Sequence, residues 1–293
     1  MLRSVTSLLL AGLFLTPAAF AQDAGALRAR EAELREQLTN NQFQRPMVLE
    51  STGANGVLNG DVYAVVDYPY DVVGRTLSRM DSWCDILMLT FNVKGCQTRA
   101  SGRHGMLSMA VGRKFDQPLA DTYPIDFTYR VAAATSDYLA VQLNADSGPL
   151  GTKDYRIVLE ATPLDAKRSF VHFTYSYANG PTARIAMQGY LATTGRNKVG
   201  FSVVGRRPDG APVYIGGERG MIERNSMRYY LAIEAFLGTY QLPAAEQLEK
   251  RLSDWFAAVE RYPRQLHEMD RDEYLTMKRV EFARRQSASV TAN

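Results

Sequence analysis

The sequence is poor in the side chains that most often carry metal or nucleophilic chemistry. It has two cysteines and three histidines in 293 residues. His104, His172 and His267 lie in different segments, and none belongs to an HExxH or HxxxH pair. Such spacing is what places two imidazoles on one metal ion. The sequence therefore predicts no metal site and no cofactor, and the lack of a G-x-S-x-G turn removes support for a serine hydrolase.

Long apolar runs and clusters of basic residues are also missing. Beyond the first 21 residues, no stretch has the roughly 18 apolar residues that a membrane-spanning helix requires. The 34 Lys and Arg residues are interspersed with 31 Asp and Glu residues, and the net charge is +3. Because no basic run could follow a phosphate backbone, no nucleic-acid partner is expected.

Residues 1–21 have the three parts of a secretory signal peptide. Arg3 supplies the positive charge, Leu8 to Leu15 form a short apolar core, and Ala19-Phe20-Ala21 is an A-x-A cleavage site. Gln22 follows, where a lipoprotein would have cysteine. The sequence therefore predicts a soluble protein secreted across the inner membrane, into the periplasm if the source is a Gram-negative bacterium. An uncleaved anchor is the alternative.

Residues 22–58 are expected to form a helical arm and a loop. In DAGALRAREAELREQLTN, apolar residues recur on one stripe of a helix: Ala24, Leu27, Leu34 and Leu38. A stripe this narrow indicates that the arm packs on the main domain. The next segment, STGANGVLNG, is rich in turn-forming residues and predicts a loop.

Residues 59–241 are predicted to form the main domain. GDVYAVVDY predicts a strand, and DVVGRTLSRMDSW predicts a helix with Asp71 as its cap. From Phe91 to Tyr177, segments of alternating apolar and polar residues predict an antiparallel sheet joined by hairpins. PTARIAMQGYLATTG fits a helix better than a strand. A broad apolar face then predicts a helix of about 24 residues from Gly217.

Residues 242–293 are predicted to be a helical extension. A heptad-like seam in it has apolar residues spaced by four and three: Leu248, Leu252, Trp255, Val259 and Tyr262. A seam of this kind is typical of a helix that packs on a neighbouring helix or on a partner chain.

The order of these elements resembles the START-like, or helix-grip, superfamily of SRPBCC type, here as an exported bacterial member. The resemblance covers roughly residues 59–241 and is carried by GDVYAVVDYPYDVVGRTLSRMDSWCDIL, the strand series and MIERNSMRYYLAIEAFLGTY. It implies an α+β fold in which a curved antiparallel sheet wraps a long C-terminal helix and encloses a cavity. The segment 181–215 and the helices after Tyr240 depart from the family pattern, which leaves open how that cavity is closed.

The two cysteines are predicted to form a disulfide. Cys84 and Cys96 are twelve positions apart, so they are not a C-x-x-C redox pair. Cys84 is expected near the C-terminal end of its helix, where the helix dipole does not favour a thiolate. An exported chain with two cysteines most often pairs them. Two free buried thiols are the alternative.

The leading functional prediction is a binding or carrier protein for a hydrophobic or amphipathic small molecule, such as a lipid, a polyprenoid, or a sterol-like or aromatic compound. The candidate ligand-binding residues are Tyr63, Trp83, Phe127, Tyr129, Phe173, Tyr175, Arg228, Tyr229, Ile233 and Phe236. A filled core would use the same residues. The sequence indicates no oligomeric state, but transient contact with a membrane or an envelope protein would fit a carrier.

Two other classes of function stay open. The resemblance also admits a cyclase- or lyase-type enzyme, in which a tyrosine, Arg228 or Glu234 would act as acid or base. An envelope interaction protein would instead use the seam at 248–262. His172 is expected on the polar outer face of its strand, where a solvated side chain is the simplest interpretation.

Overall fold

The computed structural model describes residues 23–54, 56–101 and 104–291, and it shows an α+β fold. The predicted signal peptide lies outside the described residues. The main sheet consists of β1 (Met47–Ala54), β2 (Val57–Val66), β3 (Val93–Ser101), β4 (His104–Val111), β5 (Tyr123–Ala134), β6 (Leu139–Ser147), β7 (Thr152–Pro163) and β8 (Ser169–Asn179). A separate hairpin consists of β9 (Val203–Arg206) and β10 (Pro212–Tyr214).

The described helices pack on both faces of this sheet. They are α1 (Ala24–Thr39), α2 (Tyr70–Leu77), α3 (Met80–Met88), α4 (Pro181–Ala192), α5 (Gly217–Leu237), α6 (Ala244–Val259), α7 (Pro263–Leu266) and α8 (Arg271–Thr291). Within the described part of the chain, none of these helices combines the length and the apolar character needed to cross a bilayer.

The main sheet is antiparallel throughout, with strand order β1-β2-β8-β7-β6-β5-β4-β3. The chain leaves β2 through α2 and α3, enters the opposite edge at β3, and returns strand by strand until β8 lies beside β2. Tyr175 on β8 faces Ile157 on β7 and Gly60 on β2. The predicted hairpin-linked antiparallel sheet is confirmed, and its connections explain why β2 and β8 are neighbours in space.

Helix α5 is enclosed by the sheet and the other helices, as the helix-grip prediction requires. It packs on β1, β2 and β8 on one side and on α3 and α6 on the other. Fifteen of its 21 residues are buried, which fits a helix surrounded on most sides. Gly60 permits the close approach, because a Cβ there would lie 2.3 Å from the hydroxyl of Ser226. The predicted long helix and its place in the fold are confirmed.

The outer face of the sheet is covered by α1. Asp23 caps this helix by accepting a hydrogen bond from the amide of Ala26 at 2.8 Å. Leu27, Leu34 and Leu38 are buried, and they pack against outer-face residues of β2, β6 and β8. The predicted helical arm and its docking on the main domain are therefore confirmed.

Three local predictions are wrong. Residues 51–60, predicted as a loop, form the end of β1 and the start of β2. The turn formers make only the tight connection at Gly56, whose φ is +80°, and β2 pairs with the residues before it. The helix predicted after Pro69 is divided into α2 and α3. Asp71 lies inside the first turn of α2, where it pairs with Arg75 at 2.7 Å instead of capping the helix. Cys84 lies in the middle of α3, not near its end.

The seam on α6 is covered by the chain itself. Leu252, Trp255 and Val259 are fully buried, and α6 packs on α5 and α8. The indole nitrogen of Trp255 donates to the carbonyl oxygen of Arg228 at 3.0 Å. This contradicts the use of the seam by an envelope partner, because a surface buried inside the fold is not free to bind another protein.

Helix α8 is anchored by a fully buried group of charges that we call the α8 ion cluster: Lys94, Lys278 and Glu281. The carboxylate of Glu281 lies 3.0 Å from the Lys94 ammonium and 2.7 Å from that of Lys278. Each ammonium also donates to a backbone carbonyl, at Phe91 or at Val93. These contacts tie α8 to β3 and close the helical side of the fold.

Candidate ligand-binding site

Tyrosine rings line the boundary between the inner face of the sheet and α5. Tyr175 and Tyr177 are two residues apart on β8, so both point inward, and Tyr155 lies beside them on β7. The ring centroids of Tyr155 and Tyr177 are 5.3 Å apart, and those of Tyr175 and Tyr177 are 5.8 Å apart. From α5, Tyr229 meets Tyr175 edge-on at 5.1 Å. We call these four residues the tyrosine cluster.

Two hydroxyls of the tyrosine cluster lack a partner within the described part of the chain. Tyr155 donates to the hydroxyl of Thr152 at 2.7 Å. Tyr175 and Tyr177 have no hydrogen-bond partner among the residues that the structure describes, although both side chains are buried. Burial raises the pKa of Tyr175 well above its usual value, so its hydroxyl stays protonated.

Arg224 and Arg228 extend the site along α5. Their spacing of four residues places them on the same face of the helix. The Nη2 of Arg228 donates to a carboxylate oxygen of Glu268 at 2.6 Å and to the carbonyl oxygen of Leu266 at 3.1 Å. Arg224 is 2% exposed, and α4 packs against its helix. Among the described residues, Nη1 of Arg224 and Nε of Arg228 are buried without a partner.

Glu268, in the loop between α7 and α8, forms ion pairs with several surrounding cations. Besides Arg228, it contacts Lys114 from the loop after β4 and Lys198 from the segment after α4, the latter at 2.5 Å. Burial alone would raise the pKa of Glu268, but Arg228 and Lys114 lower it to about 2. Burial, reinforced by the charge of Arg228, lowers the pKa of Lys114 to about 7. Lys114 is therefore partly neutral near pH 7, and the surplus of positive charge at Glu268 comes from Arg228 and Lys198.

Several predicted ligand-binding residues lie together at this boundary. Phe127 meets Tyr155 with centroids 6.2 Å apart, and Phe173 meets Tyr229 at 6.4 Å. With Tyr175 they form one wall at the tyrosine cluster, whereas Arg228 is turned toward Glu268. Four of the predicted residues, Phe127, Phe173, Tyr175 and Tyr229, are thus neighbours in space.

Other predicted residues lie farther away and have partners of their own. The indole of Trp83 donates to the carbonyl oxygen of Leu77 at 2.8 Å, and the hydroxyl of Tyr129 donates to the carbonyl oxygen of Ser78 at 2.7 Å. Both therefore anchor the connection between α2 and α3. Ile233 and Phe236 are buried one to two turns beyond Tyr229, and Phe236 lies under the guanidinium of Arg251.

Tyr63 lies on the opposite face of the sheet, so its predicted place among the interior residues is wrong. It faces His172 in the β2–β8 register, and residues opposite each other in a sheet share a face. The two rings stack with centroids 4.2 Å apart beneath α1. The period-two alternation of β8 places His172 outward and Phe173 inward. Tyr63 is opposite His172, so its side chain also points outward.

The same outer face holds a polar group that the sequence did not indicate, here called the outer-face network: Asp61, Glu160 and His172. The two ring nitrogens of His172 lie 2.9 Å from Asp61 and 2.9 Å from Glu160. Tyr138 donates to Glu160, and Thr174 donates to Asp61 at 2.7 Å. Burial lowers the pKa of His172, but the two carboxylates raise it overall. His172 is thus an internal ion-pair partner under α1 and not a solvated side chain.

The predicted disulfide between Cys84 and Cys96 is present. The two Cα atoms are 5.4 Å apart, and both residues are buried in the core. The bond joins the middle of α3 to β3, at the side of the sheet away from the tyrosine cluster. It fixes the helices that pack against α5 and holds no free thiol for chemistry.

Sequence reasoning missed Arg224, Tyr155 and the residues around Glu268. Arg224 could have been predicted from the sequence, because it lies four residues before Arg228 on the same helix. Tyr177 likewise follows Tyr175 by two residues on a predicted strand. Lys114 and Lys198 come from loops, and only the tertiary fold brings them to Glu268.

Comparison with known proteins gives distant structural likeness alone. No protein-family model matches the chain, and no curated protein matches it. The chain is similar to the Zhui aromatase/cyclase from Streptomyces sp. R1128, with 13% identity over 73% of this chain and 99% of that one and a TM-score of 0.36. It is also similar to norcoclaurine synthase from Thalictrum flavum, with 15% identity over 50% and 80% of the two chains and a TM-score of 0.31.

A third similar structure is a protein of Thermus thermophilus, with 10% identity over 68% of this chain and 98% of that one and a TM-score of 0.36. All three TM-scores are low, so these structures add nothing about function. The class of fold is defined by the chain's own topology, an α+β arrangement in which an eight-stranded antiparallel sheet packs around α5.

Proposed function

We propose that the protein binds an amphipathic small molecule between the inner face of the sheet and α5. One observation carries this proposal: the hydroxyls of Tyr175 and Tyr177 form no hydrogen bond with a described residue, although both rings lie in an apolar, aromatic wall between the sheet and α5. An apolar wall with a few polar groups at one place is the usual composition of a small-molecule site.

Binding is favoured over cyclase- or lyase-type catalysis because two of the expected acid and base groups, Arg228 and Glu234, are engaged elsewhere. Glu234 pairs with Arg45 and accepts a hydrogen bond from Tyr230 at 2.6 Å, more than one turn along α5 from Arg228. Arg228 is held by Glu268. A general acid or base must reach the reacting atoms of its substrate, and these contacts hold both side chains away from the tyrosine cluster.

We further propose that the protein works outside the cytoplasm. The predicted signal peptide is the basis of this proposal. The disulfide between Cys84 and Cys96 supports it, because structural disulfides persist in oxidising compartments and are rare in the cytosol.

Native mass spectrometry of the full-length protein, recovered from its native compartment, tests the binding proposal. We expect a bound species of lipid or similar size that organic extraction removes and that the extracted protein takes up again from a total lipid extract. A protein that carries no such species and takes none up would contradict the proposal.

A matched pair of variants locates the binding. Replacing Tyr175 and Tyr177 together by Phe removes the two partnerless hydroxyls and keeps both rings. We expect weaker uptake with unchanged or higher thermal stability. The control is Tyr123→Phe, which removes a hydroxyl from an exposed tyrosine on β5 and should leave uptake unchanged.

A further inference from the structure

Arg224 is a buried cation without an acidic partner in an ion pair within the described part of the chain. It is 2% exposed, and its Nη1 has no hydrogen-bond partner there. The charges of Glu268 and Glu223 act on it, but neither acid forms an ion pair with it among the described residues. A guanidinium does not lose its proton in a protein, so Arg224 cannot relieve the cost of burial by becoming neutral.

The adjacent acid, Glu223, is fully occupied by other donors. It accepts from the amide of Phe201 at 2.6 Å, from the amide and hydroxyl of Ser202 at 2.9 and 2.7 Å, and from the hydroxyl of Ser51 at 2.6 Å. These donors hold the segment after α4 and β1 against α5. Glu223 therefore has a structural role of its own and leaves Arg224 without a bonded counter-ion.

The surroundings of Arg224 have a surplus of positive charge. Arg228, Lys114 and Lys198 all share the single carboxylate of Glu268. Nε of Arg228, like Nη1 of Arg224, has no partner among the described residues. Glu268 thus contacts three basic side chains, and Arg224 is a fourth nearby cation that it does not contact. Lys114 and Lys198 are partly exposed, but Arg224 and Arg228 are buried, and a surplus of buried positive charge favours an anion.

We infer that the bound molecule is an anionic amphiphile, whose carboxylate or phosphate group is held by Arg224 while its apolar part lies along the tyrosine cluster. This inference rests on the proposed function and specifies the class of ligand. Planar guanidinium groups bind carboxylate and phosphate through paired N–H donors. Arg224 offers such a donor at Nη1. Helix α4 packs against α5, so the segment that departs from the helix-grip pattern lies beside the helix that holds the head group.

The test uses three amphiphiles with the same chain: hexadecanoate, hexadecyl phosphate and hexadecan-1-ol. Delipidated full-length protein is titrated with each by calorimetry. We expect hexadecanoate or hexadecyl phosphate to bind at least about tenfold more tightly than the alcohol, as loss of a hydrogen bond to a charged group implies. The stronger of the two anions identifies the head group as a carboxylate or a phosphate.

Two variants on α5 separate the site from the rest of the helix. Arg224→Met should weaken binding of the preferred anion at least about tenfold and leave the alcohol unchanged. Arg219→Met is the control, because Arg219 is an exposed arginine on the same helix. If wild-type protein binds all three compounds equally and Arg224→Met changes none of them, the inference is overturned and the proposed function stands. If wild-type protein binds none of them, both are overturned.

A second measurement distinguishes a binding residue from a structural one. In ligand-free protein, Arg224→Met should unfold at the same or a higher temperature, because it replaces an unpaired buried charge with an apolar side chain. A clearly lower unfolding temperature would show that Arg224 stabilises the empty fold, and it would overturn the inference.

Discussion

Reduction of the disulfide between Cys84 and Cys96 should destabilise the protein by about 3 kcal/mol. The bond closes a loop with a sequence separation of 12. In the chain-entropy model, a cross-link of that length removes about 9.5 cal/mol/K from the unfolded chain, which corresponds to about 2.8 kcal/mol at 25 °C. A chain of this size loses about 2 °C of thermal midpoint for each kcal/mol, so we expect a decrease of about 6 °C.

Differential scanning calorimetry with and without a phosphine reductant measures this decrease. The comparison uses wild-type protein in both states, because replacing Cys84 and Cys96 by Ala would add cavities in the core, where both are buried. The double Ala variant serves as the control and should not respond to the reductant. Equal midpoints for oxidised and reduced protein, or maleimide labelling of the unreduced and unfolded chain, would show that no such cross-link stabilises the fold.

Three further predictions concern the polar and apolar contacts of the core. Burial lowers the pKa of His172, but Asp61 and Glu160 raise it overall. The protonated imidazole therefore stabilises the fold fully below the unfolded pKa of about 6.5, and this stabilisation is lost as the pH rises through the folded pKa. Urea unfolding should therefore show a deficit for His172→Gln that is largest in mild acid and shrinks on alkalinisation; a constant deficit would contradict this sign. Glu281→Leu leaves the two ammonium groups of the α8 ion cluster without their acid and should cost about 3–5 kcal/mol in urea unfolding, whereas a neutral result would mean that they are not buried together. Leu252→Asp should unfold the protein and not dissociate a dimer, which circular dichroism combined with light scattering would distinguish.

Periodicity in the sequence was sufficient for the elements that surround the site. The stripe of α1, the broad apolar face of α5 and the alternation of β8 each follow from spacing, and the structure has all three. The cysteine pair was also predictable, because a chain with two cysteines offers a single intramolecular pairing. These features depend on local pattern or on a simple count.

Features that depend on pairing partners were not predictable in the same way. Residues 51–60 were predicted as a loop, because the pairing of β1 with β2 that makes most of them strand is not visible in local composition. Tyr63 was assigned to the wrong face, because its orientation depends on the register that pairs it with His172. The cations at Glu268 come from segments far apart in sequence, so no spacing rule brings them together.

Photo-crosslinking tests most directly where the ligand is bound. Delipidated protein is loaded with hexadecanoate that has a diazirine near its chain end, irradiated and digested for mass spectrometry. We expect saturable labelling of peptides from β7, β8 and α5, with competition by unlabelled hexadecanoate. Two open surface clefts lie elsewhere, along α6 and α8. Labelling confined to those clefts, or labelling that does not saturate, would contradict a ligand site between the sheet and α5.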